Sequence, residues 1–201
     1  MQGQTFVFFG IVGSGKGTQV KLLQEYLTKK GEQECVYIGT GEIFRKIINS
    51  SENDFATQAV KDILNSGRLM SDEKTNEIVS NAIELELSPT KHSIFDGYPR
   101  TVPQSKFFEQ KMESHKRENI KIIYIELSKE EAMKRNLLRG RHDDTEEGLA
   151  KRFNEYENKV IPAMNYFKDK QGYKIYTING EQSVEDVHKD IINDLGYYYG
   201  N

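Results

Sequence analysis

The chain has almost no cysteine, no long apolar run and little net charge, and each shortage removes a class of protein. Cys35 is the single cysteine in 201 residues, so no disulfide can form within the chain and no cysteine-based structural zinc site can be assembled. A reducing cytoplasm is the expected compartment. No stretch approaches the ~18 consecutive apolar residues of a membrane-spanning helix, and residues 1–4 lead straight into an apolar strand pattern without a signal peptide. The expectation is an untargeted chain with no membrane partner. A net charge of −3 provides no bulk attraction to nucleic acid or anionic lipid, so any phosphate ligand has to be held by local basic clusters. The four histidines, at 92, 115, 142 and 188, fall on four segments without the spacing of metal ligands.

What the chain does contain is concentrated near its start. Residues 5–9 read Thr-Phe-Val-Phe-Phe, a short aromatic and β-branched run that predicts a buried strand. It stops at Gly10, and the next residues are Ile11, Val12, Gly13, Ser14, Gly15, Lys16, Gly17 and Thr18. From Lys16 onward Val20, Leu23 and Leu27 share one helical face. Strand, glycine turn and helix together make a phosphate-binding loop. Glycines allow backbone angles that turn successive N–H groups onto one anion, the helix terminus adds positive potential, and Lys16 supplies a mobile point charge. A glycine turn with a solvated lysine is the plain alternative, and the flanking strand and helix weigh against it. The general pattern places a Mg²⁺-binding hydroxyl directly after the lysine; here Gly17 stands there and the hydroxyl comes one residue later, on Thr18.

Further strands are predicted at 34–38, 93–95, 121–127 and 173–178. The helices between them begin at Thr40, expected as a cap, at Ser71, with Ile78, Ala82 and Leu85 as its apolar face, and at Ser128. A long helix after Thr145 carries Leu149, Phe153, Tyr156, Val160 and Phe167, with Pro162 set to kink or restart it, and a last helix covers 183–195. Residues 49–70 are more polar and less periodic, as suits a small mobile module. Alternating strands and helices predict one α/β domain, a P-loop NTPase-like, doubly wound parallel five-stranded sheet. Asp96 closes the third strand, where such a sheet gathers its ligands, and its carboxylate could hold waters of a nucleotide-borne Mg²⁺.

The pattern Gly-x-x-Gly-x-Gly-Lys-Gly-Thr at 10–18 resembles the loop of the nucleoside monophosphate kinases, and of the adenylate kinases most of all. It departs at Ile11 and Val12, where that family usually carries a small residue and a proline. Asp96-Gly97-Tyr98-Pro99-Arg100-Thr101-Val102-Pro103-Gln104 resembles the family's segment that grips the acceptor AMP. Thr40-Gly41-Glu42-Ile43-Phe44-Arg45 is similar to the entry of its AMP-binding module, and Gly67-Arg68-Leu69-Met70-Ser71-Asp72-Glu73 to its exit. Arg139-Gly140-Arg141-His142-Asp143-Asp144, with Arg152 on the following helix, resembles a short lid. Asn179 to Val184 weakly resembles the loop against the ATP base.

The resemblance covers nearly the whole chain, and it implies a single domain over 1–201 with an AMP-binding insertion at about 39–70 and a lid at about 139–145. It implies that Gly13, Ser14, Gly15, Lys16, Gly17 and Thr18 bind ATP phosphates. Arg135 and Gln182 would lie near its base and Arg139 on its phosphates, while Arg141 and Arg152 would bridge the two nucleotides. On the acceptor side it implies AMP contacts from Thr40, Gly41, Arg45, Arg68, Leu69, Met70, Gly97, Tyr98, Pro99, Arg100 and Gln104, with Gln104 reading the adenine edge. Asp143 and Asp144 would position the arginines, Asp96 would hold Mg²⁺ through water, and Thr18 would be a second metal contact. Lys16, Arg100, Arg139, Arg141 and Arg152 would carry the catalysis. The implied activity is reversible, Mg²⁺-dependent phosphoryl transfer from ATP to AMP giving two ADP, by a cytoplasmic monomer without structural zinc and without nucleic-acid or membrane partners. A UMP/CMP-type kinase is the nearest alternative, opposed by Thr40 and Gln104. A P-loop switch protein is a further one, opposed because Asn158-Lys159 is followed by Val160-Ile161, without the aspartate of a guanine-reading motif.

Overall fold

The computed structural model describes residues 2–30, 33–49, 70–140 and 144–197, with the side chains of 45 and 47–49 outside that description. Strand β1 (Thr5–Gly10) is buried along its whole length. It is followed by α1 (Lys16–Lys29), β2 (Cys35–Gly39) and α2 (Thr40–Asn49), then by α3 (Asp72–Glu86), β3 (His92–Asp96) and α4 (Val102–Ser114). The second half contains β4 (Ile120–Glu126), α5 (Lys129–Arg139), α6 (Glu146–Glu155), a π-helical turn (Tyr156–Val160), α7 (Ile161–Asn165), β5 (Tyr173–Asn179) and α8 (Val184–Asp194).

All described pairings are parallel and the order is β2-β3-β1-β4-β5, the five-stranded doubly wound sheet the alternation predicts. β1 lies at its centre because its side chains are apolar on both faces, as a strand covered on both sides requires. Phe6 and Phe8 point into a core shared with Leu23, Leu27, Ile123 and Ile191, while Val7 and Phe9 meet Phe95, Phe108, Met112 and Phe167 on the other face. Each such side chain, fully buried, contributes roughly 1.5–3 kcal/mol. The chain leaves β1 toward β2 on one side and passes from β3 across to β4 on the other, so the strand order reverses beside the carboxyl end of β1. That is where an open α/β sheet places its ligand crevice.

Two local expectations change and a third holds. The buried face of α3 is Thr75, Val79 and Ile83, with Leu85 84% exposed, instead of Ile78, Ala82 and Leu85. The two stripes differ by one residue, about 100° of rotation, and helix periodicity alone does not choose between them. Thr40 is the first residue of α2, and its hydroxyl donates outward to the Gly97 carbonyl at 2.8 Å. Pro162 restarts the long helix as anticipated, through a π-helical turn in which the Ile161 N–H reaches back to the Tyr156 carbonyl. The wider turn accommodates a residue that has no N–H to donate and whose ring crowds the preceding turn.

Candidate active site

The phosphate loop takes the shape its glycines permit. Gly13 and Gly15 have φ of +90° and +87°, and Gly15 is the N-cap of α1 without a side-chain cap. The Thr18 N–H turns back to the Gly15 carbonyl at 3.0 Å, while the N–H groups of Lys16 and Gly17 open the helix outside its own ladder. Lys16 is half-buried, and its ammonium folds back to donate to the carbonyls of Gly10 (2.6 Å) and Ile11 (3.0 Å), 3.5 Å from Ser14 Oγ. Burial pulls its pKa down to about 8; Asp96 opposes the shift, and the guanidiniums of Arg100 and Arg139 reinforce it. A desolvated ammonium between two further cations is a position that an incoming polyanion stabilises.

Asp96 ends β3 in register with Gly39 of β2 and Phe8 of β1, and Tyr37 donates its hydroxyl to Asp96 Oδ2 at 3.3 Å. The next residue, Gly97, has φ +73°, and a Cβ there would lie 2.6 Å from an Arg100 nitrogen. Its carbonyl accepts from Arg100 Nε (2.6 Å) and from Thr40. Glycine at 97 thus lets Arg100 fold back toward Asp96. Burial depresses the Arg100 pKa, Asp96 opposes that shift and Arg152 adds to it.

The acceptor-side segment is stitched to α3. Ser71 caps α3 and Thr101 caps α4. Asp72 Oδ1 accepts from the Thr101 hydroxyl (2.7 Å) and from Gln104 Nε2 (2.9 Å), while Gln104 Oε1 accepts the Arg100 N–H at 2.8 Å. Gln104 is 2% exposed, so the amide expected on an adenine edge is bonded at both ends within the protein. Tyr98 is a core residue, its ring edge-on to Phe108 and its hydroxyl donating to Asn76 at 2.6 Å, after which the Tyr98–Pro99 peptide is cis. Pro99 and Met70 are buried, and Gly41 is half-buried in the first turn of α2.

On the other side of the loop, Arg139 ends α5 just before Gly140, whose φ of +63° stops the helix. Its Nε and a terminal nitrogen donate to the two oxygens of Asp144 at 3.0 and 2.8 Å, and Arg152 of α6 reaches the same carboxylate at 3.3 Å. The Asp144 carboxylate is fully buried and anchors both cations, with Arg152 half-buried and Arg139 still open to solvent. Arg135 donates to Glu131 (2.8 Å) and to the Gly180 carbonyl (2.9 Å). Gln182 donates to the Asn179 carbonyl (3.1 Å) and to Asp190 (2.7 Å). Gly17 and Thr18 are exposed on the first turn of α1. Arg68, Leu69, Arg141, Asp143 and the Arg45 side chain lie outside the described residues.

Lys16, Asp96, Arg100, Arg139 and Arg152 are thus linked through space, with Asp144 behind the last two. These four cations stand, among the described residues, beside the carboxylates of Asp96 and Asp144, a local positive excess matched to a polyphosphate. Among the described residues no three His, Cys, Asp or Glu side chains converge to enclose a metal ion. One strand-end carboxylate does suit a Mg²⁺ that arrives on a nucleotide and keeps most of its waters. Among the same residues no helix is long and apolar enough to cross a membrane. Asn136, Asp72 and Asn76 belong to the site's framework and are missed by motif. Asn136 does carry a signal, since asparagine is a poor helix former and stands here inside α5.

The family model described as adenylate kinase matches residues 8–172. The chain belongs to the adenylate kinase family. It is 31% identical to Adenylate kinase 1 of Nostoc sp. (strain PCC 7120) over 94% of this chain and 97% of that protein. It is 33% identical to the Petrotoga mobilis adenylate kinase and 34% to that of Prochlorococcus marinus (strain MIT 9211), each over 94% of this chain and 96% of the relative. Membership makes it a nucleoside monophosphate phosphotransferase, with the P-loop sheet of that family. Neither a pyrimidine-monophosphate kinase nor a switch protein is favoured.

Proposed function

We propose that the chain transfers a phosphoryl group reversibly from ATP to AMP, giving two ADP, through the residues around Lys16, as a cytoplasmic monomer. The observation that carries this reading is the positive excess of Lys16, Arg100, Arg139 and Arg152 gathered around Asp96 at the carboxyl ends of β1 and β3, three of them half-buried and Arg139 open to solvent. Backbone N–H groups from Gly13 to Thr18 cradle the donor phosphates and Lys16 neutralises the transferring group. Arg139 holds donor phosphates, Arg100 holds the AMP phosphate, and Arg152 spans the two with Arg141. Positioning and charge neutralisation account for the rate; no covalent intermediate and no dedicated base are needed. Asp96, with Thr18 nearby, would hold waters of a Mg²⁺ carried by ATP, which when bound neutralises phosphate charge. Arg135 and Gln182 border the ATP base, and Thr40, Gly41, Arg45, Arg68, Leu69, Met70 and the Gly97–Pro99 turn border AMP. In this reading residues at about 39–70 form the AMP-binding insertion and about 139–145 the short lid of one domain.

Base selection tests the proposal. A site whose buried amide and hydroxyl pair with adenine rejects bases that leave them unmet, by about 1–3 kcal/mol for each stranded group. Offered Mg·ATP with AMP, CMP, UMP or GMP, the enzyme is expected to use AMP with by far the highest kcat/KM. A preference for a pyrimidine monophosphate would overturn the assignment. Gln104 would meet the adenine edge with the amide hydrogen and the oxygen lone pair that its bonds to Asp72 and to the Arg100 N–H leave over. Gln104→Ala should therefore weaken AMP discrimination and leave ATP affinity unchanged, whereas equal loss at both sites would make Gln104 a purely structural residue.

A further inference from the structure

We propose that Asn136 is a positioning residue that ties the phosphate loop and the Arg139 guanidinium into one unit. Asn136 is fully buried on the inner face of α5. Its Nδ2 donates to the carbonyl of Val12, inside the phosphate loop, at 2.9 Å, and to the Ala132 carbonyl at 2.6 Å. Its Oδ1 accepts from a terminal nitrogen of Arg139 at 2.7 Å. Two carbonyls at one end and a guanidinium at the other fix which end is nitrogen, because the flipped amide would set oxygen against oxygen.

The contact is tight as well as bonded. A Cβ on Gly13 would collide with Asn136 Nδ2. Ile11 of the loop packs with Ala132 of α5 and with Leu149 and Phe153 of α6, and Val12 lies against this cluster. That apolar cover keeps water away from the amide, which strengthens its bonds and makes an unmet partner costly. The linkage continues from Arg139 through the buried Asp144 to Arg152. Val12 and Asn136 are 124 residues apart in sequence, yet one amide sets the loop carbonyl against the arginine that flanks it. A shift of either one is therefore transmitted to the other.

The proposal rests on the reading of the loop and Arg139 as donor-phosphate ligands, and the test separates the two. Steady-state kinetics with Mg·ATP and AMP would be measured on Asn136→Leu, Arg139→Ala and the double variant. Asn136→Leu keeps the volume and removes every amide bond. It should lower kcat at least tenfold and leave the KM for AMP within twofold. The double variant should be no more than twofold slower than Arg139→Ala, because the two residues act through one linkage. An Asn136→Leu enzyme within twofold of the parent kcat, or losses that multiply in the double variant, would overturn the proposal. Arg139→Ala turning over at the parent rate would overturn the donor-phosphate reading and this inference with it. If the leucine variant does not fold, nucleotide-free amide spectra of Arg139→Ala still decide. The Val12 and Gly13 signals should shift, and unmoved signals reject the linkage.

Discussion

The two ends of the sheet each bury a cation on backbone carbonyls, and they use it differently. At the amino end, Arg117 is 4% exposed and donates to the carbonyls of Gly3, ahead of β1, and of Ser88 and Lys91, both in the loop ahead of β3. Burial lowers its pKa. At the carboxyl end, Lys16 also rests on two carbonyls, but Asp96, Arg100 and Arg139 act on its charge. The two terminal nitrogens of Arg117 are spent on fixed carbonyl partners and tie segments together. The Lys16 ammonium shares its place with other cations, an unfavourable arrangement that a bound polyanion relieves. Burial and carbonyl partners alone do not mark a functional cation; like charges gathered without enough carboxylate do.

The largest effect separating the two ends is expected from Lys16→Met. Its ammonium stabilises charge on the transferring phosphoryl group more than in the ground state, so the loss belongs in kcat. Removal of one such preorganised group costs roughly 10²–10³-fold. Near-parent turnover by the folded variant would strip the carboxyl-end cluster of its catalytic role.

Arg152→Ala should come next. It leaves Asp144 paired with Arg139 at 2.8 Å, so the fold keeps its buried carboxylate satisfied. A fall of at least tenfold in kcat/KM with the melting temperature within a few degrees is expected. Loss of stability with unchanged kcat/KM would place Arg152 with Arg117, as a tie.

What the sequence discloses and what it hides follow the same division. The phosphate loop was legible because its backbone geometry demands glycine at fixed spacing, and Gly13 and Gly15 sit at positive φ as that demand requires. The strands were legible to within about a residue because β1 and β4 are apolar on both faces. Asn136, Asp72 and the bond from Gln104 to Asp72 were hidden, because the deciding partners lie 124, 29 and 32 residues away and only the folded chain supplies them. The face of α3 was misassigned since its two apolar stripes are nearly equal, and the neighbours that decide between them come from β2 and α4.

A smaller, graded effect comes from pH. Lys16 has its pKa lowered to about 8, so in the free enzyme it is charged below that value and loses its proton as pH rises through it. Since kcat/KM reports the free enzyme, its value for ATP should fall roughly fourfold between pH 7 and 8.5. Bound phosphate favours the charged form, so kcat should stay level over the same range. A flat kcat/KM up to pH 9 would contradict the crowding of cations that distinguishes this end of the sheet.

The smallest change in turnover is expected from Arg117→Met, the counterpart at the amino end. The substitution keeps much of the side chain's apolar length but leaves carbonyls of Gly3, Ser88 and Lys91 without their donor. A stranded buried group costs on the order of 1–3 kcal/mol, and methionine cannot donate to any of the three. Partial rehydration at the sheet's end offsets some of this, so a net loss of about 3 kcal/mol is expected, which lowers the melting temperature of a chain this size by roughly 10 °C. Turnover at 25 °C should stay within twofold, since the residue contacts neither the phosphate loop nor the arginine cluster. Thermal unfolding and steady-state kinetics on one preparation give both readings. A tenfold loss of kcat with an unchanged melting temperature would reverse the roles assigned to the two cations.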